Sequence, residues 1–155
     1  MSISATTHLN FHGDARAALE FYQSVFGGQT LIRTYGDFGM PADAPEASNV
    51  VFGQVTTADG FRLMAYDIPG RSGGSVAGAG STHRENGTTI TDQPFFVSVE
   101  GETLDEVQGY WEKLTVGASI VEPLAASSFS AGFGMVTDSF GVTWILGVAA
   151  ADTEV

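Results

Sequence analysis

Apolar residues recur along the chain with two different spacings, and the two spacings alternate in a regular order. Spacings of three and four predict two amphipathic helices, one through Ala18, Tyr22 and Val25 and the other through Leu104 and Trp111. Short runs rich in β-branched and aromatic residues predict eight strands. The predicted strands span residues 3–11, 30–35, 50–56, 61–68, 95–99, 119–122, 132–137 and 142–148. The order strand, helix, three strands therefore occurs twice, as a repeat of pattern with little identity between the halves.

Turn and capping residues divide these elements. Asp14 is the predicted N-cap of the first helix, and Gly27 is the predicted stop. Thr103 and Glu106 match a capping box at the start of the second helix. The Asp59-Gly60 pair lies between two apolar runs and predicts a β-hairpin there. These signals agree with the helix and strand periodicities.

A segment rich in Gly and Ser separates the two halves. It covers about residues 69–91, is nearly free of large apolar side chains, and is predicted to be a flexible linker. The first module is then about residues 1–68 and the second about 92–149, within a single domain of residues 1–155. With one helix for every four strands, most strand pairs have to be antiparallel, so the predicted fold class is α+β.

Composition and charge narrow the possible functions. The chain has no cysteine, which excludes disulfides, cysteine-ligated metal centres and thiol catalysis. Its net charge of −12 disfavours nucleic acid and anionic membrane surfaces as partners. No membrane-spanning run and no signal peptide are apparent, and a cytoplasmic location is expected. Neither a phosphate-binding loop nor a nucleophile elbow is present, and Asp138 is interpreted as a turn residue that bonds its own backbone.

Two segments resemble a known family. They are FHGDARAALEFYQSVFGG at residues 11–28 and FGMVTDSFGVTW at residues 133–144. Both are similar to the opening and closing segments of PhnB-like proteins, a branch of the vicinal oxygen chelate (glyoxalase/bleomycin-resistance/dioxygenase) superfamily. The resemblance implies two βαβββ modules with curved, mostly antiparallel sheets around a cleft, and a homodimer.

The resemblance also implies where a metal would bind. Enzymes of this superfamily hold a divalent ion with His, Glu or Gln from the first and fourth strands of each half, and the ion chelates neighbouring substrate oxygens. The positions that map onto this chain are Thr7 or His8, Met64, Gln93 or Pro94, and Ile145. At most one of these is a characteristic ligand, so neither a metal nor another cofactor is predicted.

Aromatic and polar residues of the strands suggest a ligand site instead. Phe52 stands where many relatives carry His, and Phe129-Ser130-Ala131 stands where many carry Trp-Gly-Asp, so the resemblance implies a less polar cleft. Apolar clefts with a few polar groups are typical of small-ligand sites. The predicted ligand-binding residues are His8, Asn10, Phe52, Gln54, Met64, Tyr66, Phe96, Phe129, Trp144 and Ile145.

Three functions remain in view. The favoured hypothesis is a protein that binds a small, largely apolar molecule without the metal site. The first alternative is a divergent metal-dependent lyase, dioxygenase or antibiotic-resistance enzyme of the same superfamily. The second is a protein interaction module whose cleft is filled.

Overall fold

The structure is a computed structural model that describes residues 2–70 and 81–150. These residues form ten strands, two α-helices and a short 3-10 turn. In chain order they are β1 (Thr7–Phe11), α1 (Ala15–Phe26), β2 (Gln29–Thr34), the 3-10 turn (Gly36–Phe38), β3 (Val50–Thr56), β4 (Arg62–Asp67), β5 (His83–Glu85), β6 (Thr88–Ile90), β7 (Val97–Gly101), α2 (Leu104–Leu114), β8 (Ser119–Ala125), β9 (Phe133–Thr137) and β10 (Thr143–Val148). The α+β class and the two βαβββ modules are confirmed.

The contacts divide the chain into two compact units, Met1–Val76 and Ala77–Val155, each containing one module. The first unit has a four-stranded sheet in the order β1-β4-β3-β2, and the second has one in the order β7-β10-β9-β8. In each sheet the first and fourth strands of the module are parallel, and the other two strand pairs are antiparallel. The organisation of both units as a single domain stays a prediction.

Each helix packs on one face of its own sheet. Leu19 and Tyr22 of α1 are fully buried, as are Leu114 and, nearly so, Val107 of α2. Burial of a large apolar side chain contributes roughly 1.5–3 kcal/mol, so each helix–sheet interface stabilises its module. The helical stripes predicted from the sequence are therefore confirmed as core.

Glycine permits this close packing at the same place in both sheets. A Cβ at Gly53 of β3 would collide with Leu19, and a Cβ at Gly134 of β9 would meet the Trp111 ring at 2.8 Å. Ala65 is the cross-strand neighbour of Gly53, and Leu146 is the neighbour of Gly134. The two glycines thus hold corresponding positions and let each helix lie close to its sheet.

The helix boundaries agree with most of the predicted signals. Thr103 accepts a hydrogen bond from the backbone N–H of Glu106 at 3.2 Å, as the capping box requires. Gly27 ends α1 with a φ of 82°, a conformation that favours glycine. Asp14 is the N-cap residue of α1, as predicted, but its side chain makes no capping hydrogen bond. The carboxylate of Asp67 accepts from the N–H groups of Gly13 and Ala15 instead.

Three predicted strands differ from the observed ones by more than one residue at an end. The first was expected to begin at Ile3, but that side chain is 98% exposed and β1 begins at Thr7, where pairing with β4 begins. The fifth was expected to begin at Phe95, which is 52% exposed, and β7 lies two residues further on. The sixth continues past Glu122 with two irregularities in its pairing with β9.

The predicted linker contains regular structure. Residues 71–80 of it lie outside the described residues, but β5 and β6 form an antiparallel hairpin immediately after them. Asn86 and Gly87 form its turn, with positive φ angles of 52° and 77°. An Asn-Gly pair is the usual choice for a two-residue turn of this kind. The prediction of a flexible linker as far as residue 91 was therefore wrong for this hairpin.

Candidate functional site

The face of the first sheet that α1 does not cover carries a mixed polar and aromatic set of side chains. Leu9, Leu63 and Val55 are buried on the face toward α1. Side chains alternate between faces along a strand, so the intervening residues lie on the other side. We call this side the first front face, and its members are His8, Asn10, Phe52, Gln54, Met64 and Tyr66. His8 and Asn10 are exposed and the other four are partly exposed.

The strand register brings these residues side by side. Met64 is the direct cross-strand neighbour of both His8 and Gln54, so the three residues form a row across β1, β4 and β3. Asn10 and Tyr66 are also direct neighbours. The rings of His8 and Tyr66 pack edge to face with their centroids 5.3 Å apart. Six of the ten predicted ligand-binding residues are therefore clustered on one surface.

Polar contacts fix parts of this surface. His8 Nδ1 lies 3.1 Å from Asn10 Oδ1. The Tyr35 hydroxyl donates to the backbone oxygen of Asp67 at 2.6 Å, next to Tyr66 at the end of β4. Partial burial raises the pKa of the Tyr35 hydroxyl above its ordinary value, and the neighbouring Tyr66, Asp67 and Glu46 raise it further. The end of β4 is therefore held in place beside the cluster.

A depression adjoins the first front face. Arg62 precedes Met64 by two residues on β4, and its cross-strand neighbour Thr56 follows Gln54 by two on β3. Both therefore lie on the same side of the sheet as the cluster. With Ser4, Ala5 and the β3–β4 turn they line a depression of about 240 Å³. The surface at this end is concave and carries one guanidinium group.

The strands of the second sheet pair in the same register as those of the first, but the face of the second sheet away from α2 is covered. Ser98 is the neighbour of Ile145, as His8 is of Met64, and Ile145 pairs with Met135 on β9. We call this side the second front face, with Ser98, Phe133, Met135 and Ile145 as its members. Met135 is only 1% exposed, although it lies on the face away from α2.

The β5–β6 hairpin provides this cover. Thr89 Oγ1 donates to Met135 Sδ at 3.5 Å. The Arg84 guanidinium lies 5.7 Å from the centre of the Phe133 ring, a cation–π distance, and its Nε is 3.5 Å from Glu122 Oε2 on β8. Arg84 also donates to Thr89 at 2.8 Å. The hairpin is thus anchored on the second front face by the chain's own side chains.

The four ligand-binding residues predicted in the second half are scattered. Ile145 lies on the second front face and is partly exposed, and Phe96 is partly exposed just before β7. Phe129 is 99% exposed in the loop between β8 and β9. Trp144 is fully buried on the α2 side of its sheet, and its indole N–H donates to Asp138 at 2.8 Å. The assignment of Trp144 to a ligand surface was wrong, because strand alternation points it away from Ile145.

Both modules contain a buried carboxylate with a structural role. Asp138 accepts from the N–H groups of Phe140 and Val142 as well as from Trp144, in agreement with its interpretation as a turn residue. Asp67 is 1% exposed and its carboxylate accepts three backbone N–H bonds. The sequence analysis missed Asp67. The available signal was an acidic residue inside the alternating run Leu63–Asp67, where every second side chain is buried.

The residues at the mapped metal positions form a poor donor set. The first module offers the His8 imidazole and the Met64 thioether. In the second module the neighbour of Ile145 is Ser98, while Gln93 and Pro94 precede β7. One imidazole, one soft thioether, one hydroxyl, an alkyl group and at most one carboxamide, from Gln93, do not fit a site for a hard or borderline divalent ion. No group of three His, Asp or Glu that could hold a metal occurs within residues 2–70 and 81–150.

Comparison with known proteins identifies the family. The sequence model of the glyoxalase/bleomycin resistance protein/dioxygenase superfamily matches residues 7–146. The chain therefore belongs to this superfamily, in agreement with the resemblance found in its sequence. No functionally curated protein matches the chain.

Solved structures agree with this assignment. The crystal structure of PA1353 from Pseudomonas aeruginosa is similar with a TM-score of 0.73 and 25% identity, over 95% of this chain and 98% of that one. The PhnB protein from Bacillus cereus is similar with a TM-score of 0.65 and 27% identity, over 95% and 100%. A glyoxylase/bleomycin resistance protein/dioxygenase domain from Frankia sp. EAN1pec has a TM-score of 0.60 at 14% identity, over 97% and 99%, which supports the fold alone.

Proposed function

We propose that the chain is a binding protein for a small, largely apolar molecule, and that the first front face contacts the ligand. The observation that carries this proposal is the difference in cover between the two modules. Met64, Gln54, Phe52 and Tyr66 stay partly exposed, whereas Met135 is covered by the β5–β6 hairpin. Partly exposed aromatic and thioether groups with a few polar neighbours are typical of small-ligand sites.

We further propose that binding does not require a metal. The mapped positions support this, because only His8 provides a nitrogen or carboxylate ligand. A chain of this kind acts by sequestering or sensing its ligand and does not polarise a substrate oxygen with a cation. The homodimer and the cytoplasmic location that were expected from the sequence remain part of this proposal. Neither helix that the structure describes is long and apolar enough to cross a membrane.

The ligand site is tested with the neutral fluorophore 1-N-phenylnaphthylamine. Met64→Glu places a carboxylate in the middle of the first front face, and we expect it to weaken binding about tenfold or more, since an unpaired charge in an apolar site costs at least about 1.4 kcal/mol. Val116→Glu adds the same charge at a residue that is 67% exposed after α2, and it serves as the matched control. Equal binding by wild type and Met64→Glu, or no binding by wild type, would contradict the proposal.

The metal question needs its own experiment. Calorimetric titration with Zn²⁺, Ni²⁺ and Mn²⁺ should give no stoichiometric binding that depends on His8. If an ion binds at one per chain and His8→Ala abolishes that binding, the metal-independent proposal is wrong and the superfamily's enzyme chemistry replaces it. Ser98→Ala at the corresponding position of the second module controls for a general effect of substitution on an edge strand.

A further inference from the structure

The geometry points to a specific ligand chemistry: we infer that Asn10 holds His8 as a hydrogen-bond acceptor and that the site takes a neutral aromatic molecule carrying one hydrogen-bond donor. This inference rests on the proposed function, because it assigns a ligand class to the same first front face. Three contacts carry it: the Asn10 oxygen beside His8 Nδ1, the Tyr66 ring against the imidazole, and Met64 next to His8 across the strands.

The first step concerns the His8 tautomer. A carboxamide oxygen can only accept a hydrogen bond, so Asn10 Oδ1 at 3.1 Å requires a proton on His8 Nδ1. A neutral imidazole that carries its proton on Nδ1 has a lone pair on Nε2. An orienting partner on one ring nitrogen thereby sets what the other nitrogen can do. Asn10 is therefore a positioning residue, and the atom it prepares is Nε2.

The second step concerns the direction of the ring. The Tyr66 ring packs against the imidazole at an interplanar angle of 67°, which limits rotation of the His8 side chain. Asn10 fixes the same side chain from its own strand at Nδ1. Two contacts on different strands thus hold an exposed side chain whose freedom would otherwise oppose ligand binding. The acceptor at Nε2 is held ready for its partner before the ligand arrives.

The third step concerns charge and shape. The residues adjoining His8, namely Asn10, Met64 and Tyr66, carry no formal charge, and the guanidinium of Arg62 belongs to the first residue of β4, two positions before Met64. Met64 and Tyr66 offer a thioether and a ring, which favour a flat aromatic surface. The chain's net charge of −12 disfavours an anionic ligand. A neutral aromatic molecule with one hydroxyl or ring N–H can donate to His8 Nε2 and at the same time pack against Met64 and Tyr66.

The tautomer is measured first, on the free full-length protein. Long-range ¹H–¹⁵N correlation at about pH 8, where imidazoles are ordinarily neutral, should show the His8 proton on Nδ1. Asn10→Ala should move it toward Nε2, whereas Glu100→Ala, at the corresponding position of the second module, should leave it unchanged. A proton on Nε2 in the wild type would mean that the Asn10 amide nitrogen faces the ring, and the inference would be wrong.

The ligand class is measured with indole and 1-methylindole, which have nearly the same shape and differ by the donor. We expect indole to bind about fivefold more tightly, as one net hydrogen bond of about 1 kcal/mol implies. His8→Phe keeps a ring against Tyr66 but removes the acceptor, so it should make the two affinities equal. Asn10→Ala should reduce the preference, and Ser98→Ala should preserve it.

The outcomes separate this inference from the function on which it rests. If both probes bind equally to the wild type and compete with 1-N-phenylnaphthylamine, the ligand site stands and the donor preference is wrong. If neither indole nor the fluorophore binds, the proposed function and this inference both fail. If indole is preferred but His8→Phe retains the preference, another group accepts the hydrogen bond and the role of His8 is refuted.

Discussion

In the first module, the side of the sheet opposite α1 carries partly exposed Met64 and Tyr66, with His8 and Asn10 at its edge. In the second module, the same side of an equally ordered sheet is covered by the β5–β6 hairpin, and Met135 is 1% exposed. The strand order and the register of the parallel pair are the same in both. A short hairpin therefore makes one copy of a repeated scaffold suitable for a ligand and fills the other copy.

The buried carboxylates also differ between the two modules, in the residues that they join. Asp67 joins the start of α1 to β3, whereas Asp138 joins residues within one turn to the neighbouring Trp144. The amino end of α1 thus depends on one carboxylate for the backbone hydrogen bonds that link it to β3. The largest expected effect of a substitution follows from this dependence.

Replacement of Asp67 by Ala should lower the free energy of unfolding by about 3 kcal/mol or more, because three backbone N–H groups lose their acceptor in a buried environment. Urea unfolding followed by far-UV circular dichroism measures the loss, and amide hydrogen exchange assigns it to α1. Asp43→Ala, at an exposed residue of the same module, should change stability by less than about 0.5 kcal/mol. A loss below about 1 kcal/mol for the Asp67 variant would refute the role assigned to this carboxylate.

Methionine oxidation compares the two front faces directly. Peroxide should convert Met64 to the sulfoxide about ten times faster or more than Met135, since susceptibility follows exposure. Arg84→Ala removes the contacts to Glu122 and Thr89 and should accelerate oxidation of Met135 while leaving Met64 unchanged.

Peptide mapping by mass spectrometry measures both rates in one sample. Arg33→Ala is the matched control, because that exposed guanidinium donates to the backbone of its own neighbour Ile32. If Met64 and Met135 are oxidised at the same rate in the wild type, the difference in cover is not maintained in solution. The proposed function would then lose its main support.

Tyr35→Phe has the smallest expected effect, about 1 kcal/mol, from loss of the hydrogen bond to the Asp67 backbone oxygen. The pKa of Tyr35 is raised in the folded protein, so the protonated hydroxyl stabilises the fold below about pH 10. This contribution disappears as the pH rises through the raised pKa. The variant should therefore lose less stability than wild type between about pH 9 and 11.

Urea unfolding of the wild type and of Tyr35→Phe at about pH 9 and about pH 11 measures this difference in stability loss. Tyr110→Phe, which removes a hydroxyl that donates to a side chain on the surface of α2, is the control and should retain the alkaline loss. An identical pH dependence for Tyr35→Phe and wild type would show that Tyr35 does not titrate with folding.

The sequence was sufficient for the fold because local patterns and global topology agree. The stripes of α1 and α2 are buried, and the Asp59-Gly60 turn joins β3 to β4. The hairpin at Asn86-Gly87 was overlooked because β5 and β6 have only three residues each and carry Thr, His and Arg in place of an apolar run. Their stability comes from contacts with Met135 and Phe133, about fifty residues away along the chain.

Only part of the candidate site could be predicted from the sequence, because the rest depends on contacts between residues that are distant along the chain. The predicted residues His8, Gln54 and Met64 lie on one face, because they are direct neighbours across β1, β4 and β3. In the second half, the predicted set included both Trp144 and Ile145, which are adjacent on β10 and so cannot share a face. Asp67 was missed because its three donors are separated from it by 17 to 54 residues.

The Asp67 contacts also have a consequence for how the first module is made. Gly13 and Ala15 lie 54 and 52 residues before the carboxylate that accepts their hydrogen bonds. During synthesis, the amino end of α1 therefore leaves the ribosome well before its acceptor does, about three to ten seconds at ordinary elongation rates. A long loop must close before this helix end is satisfied, which is a slow, non-local step. We expect the nascent chain to resist proteolysis near residue 15 only after residue 67 has emerged from the exit tunnel.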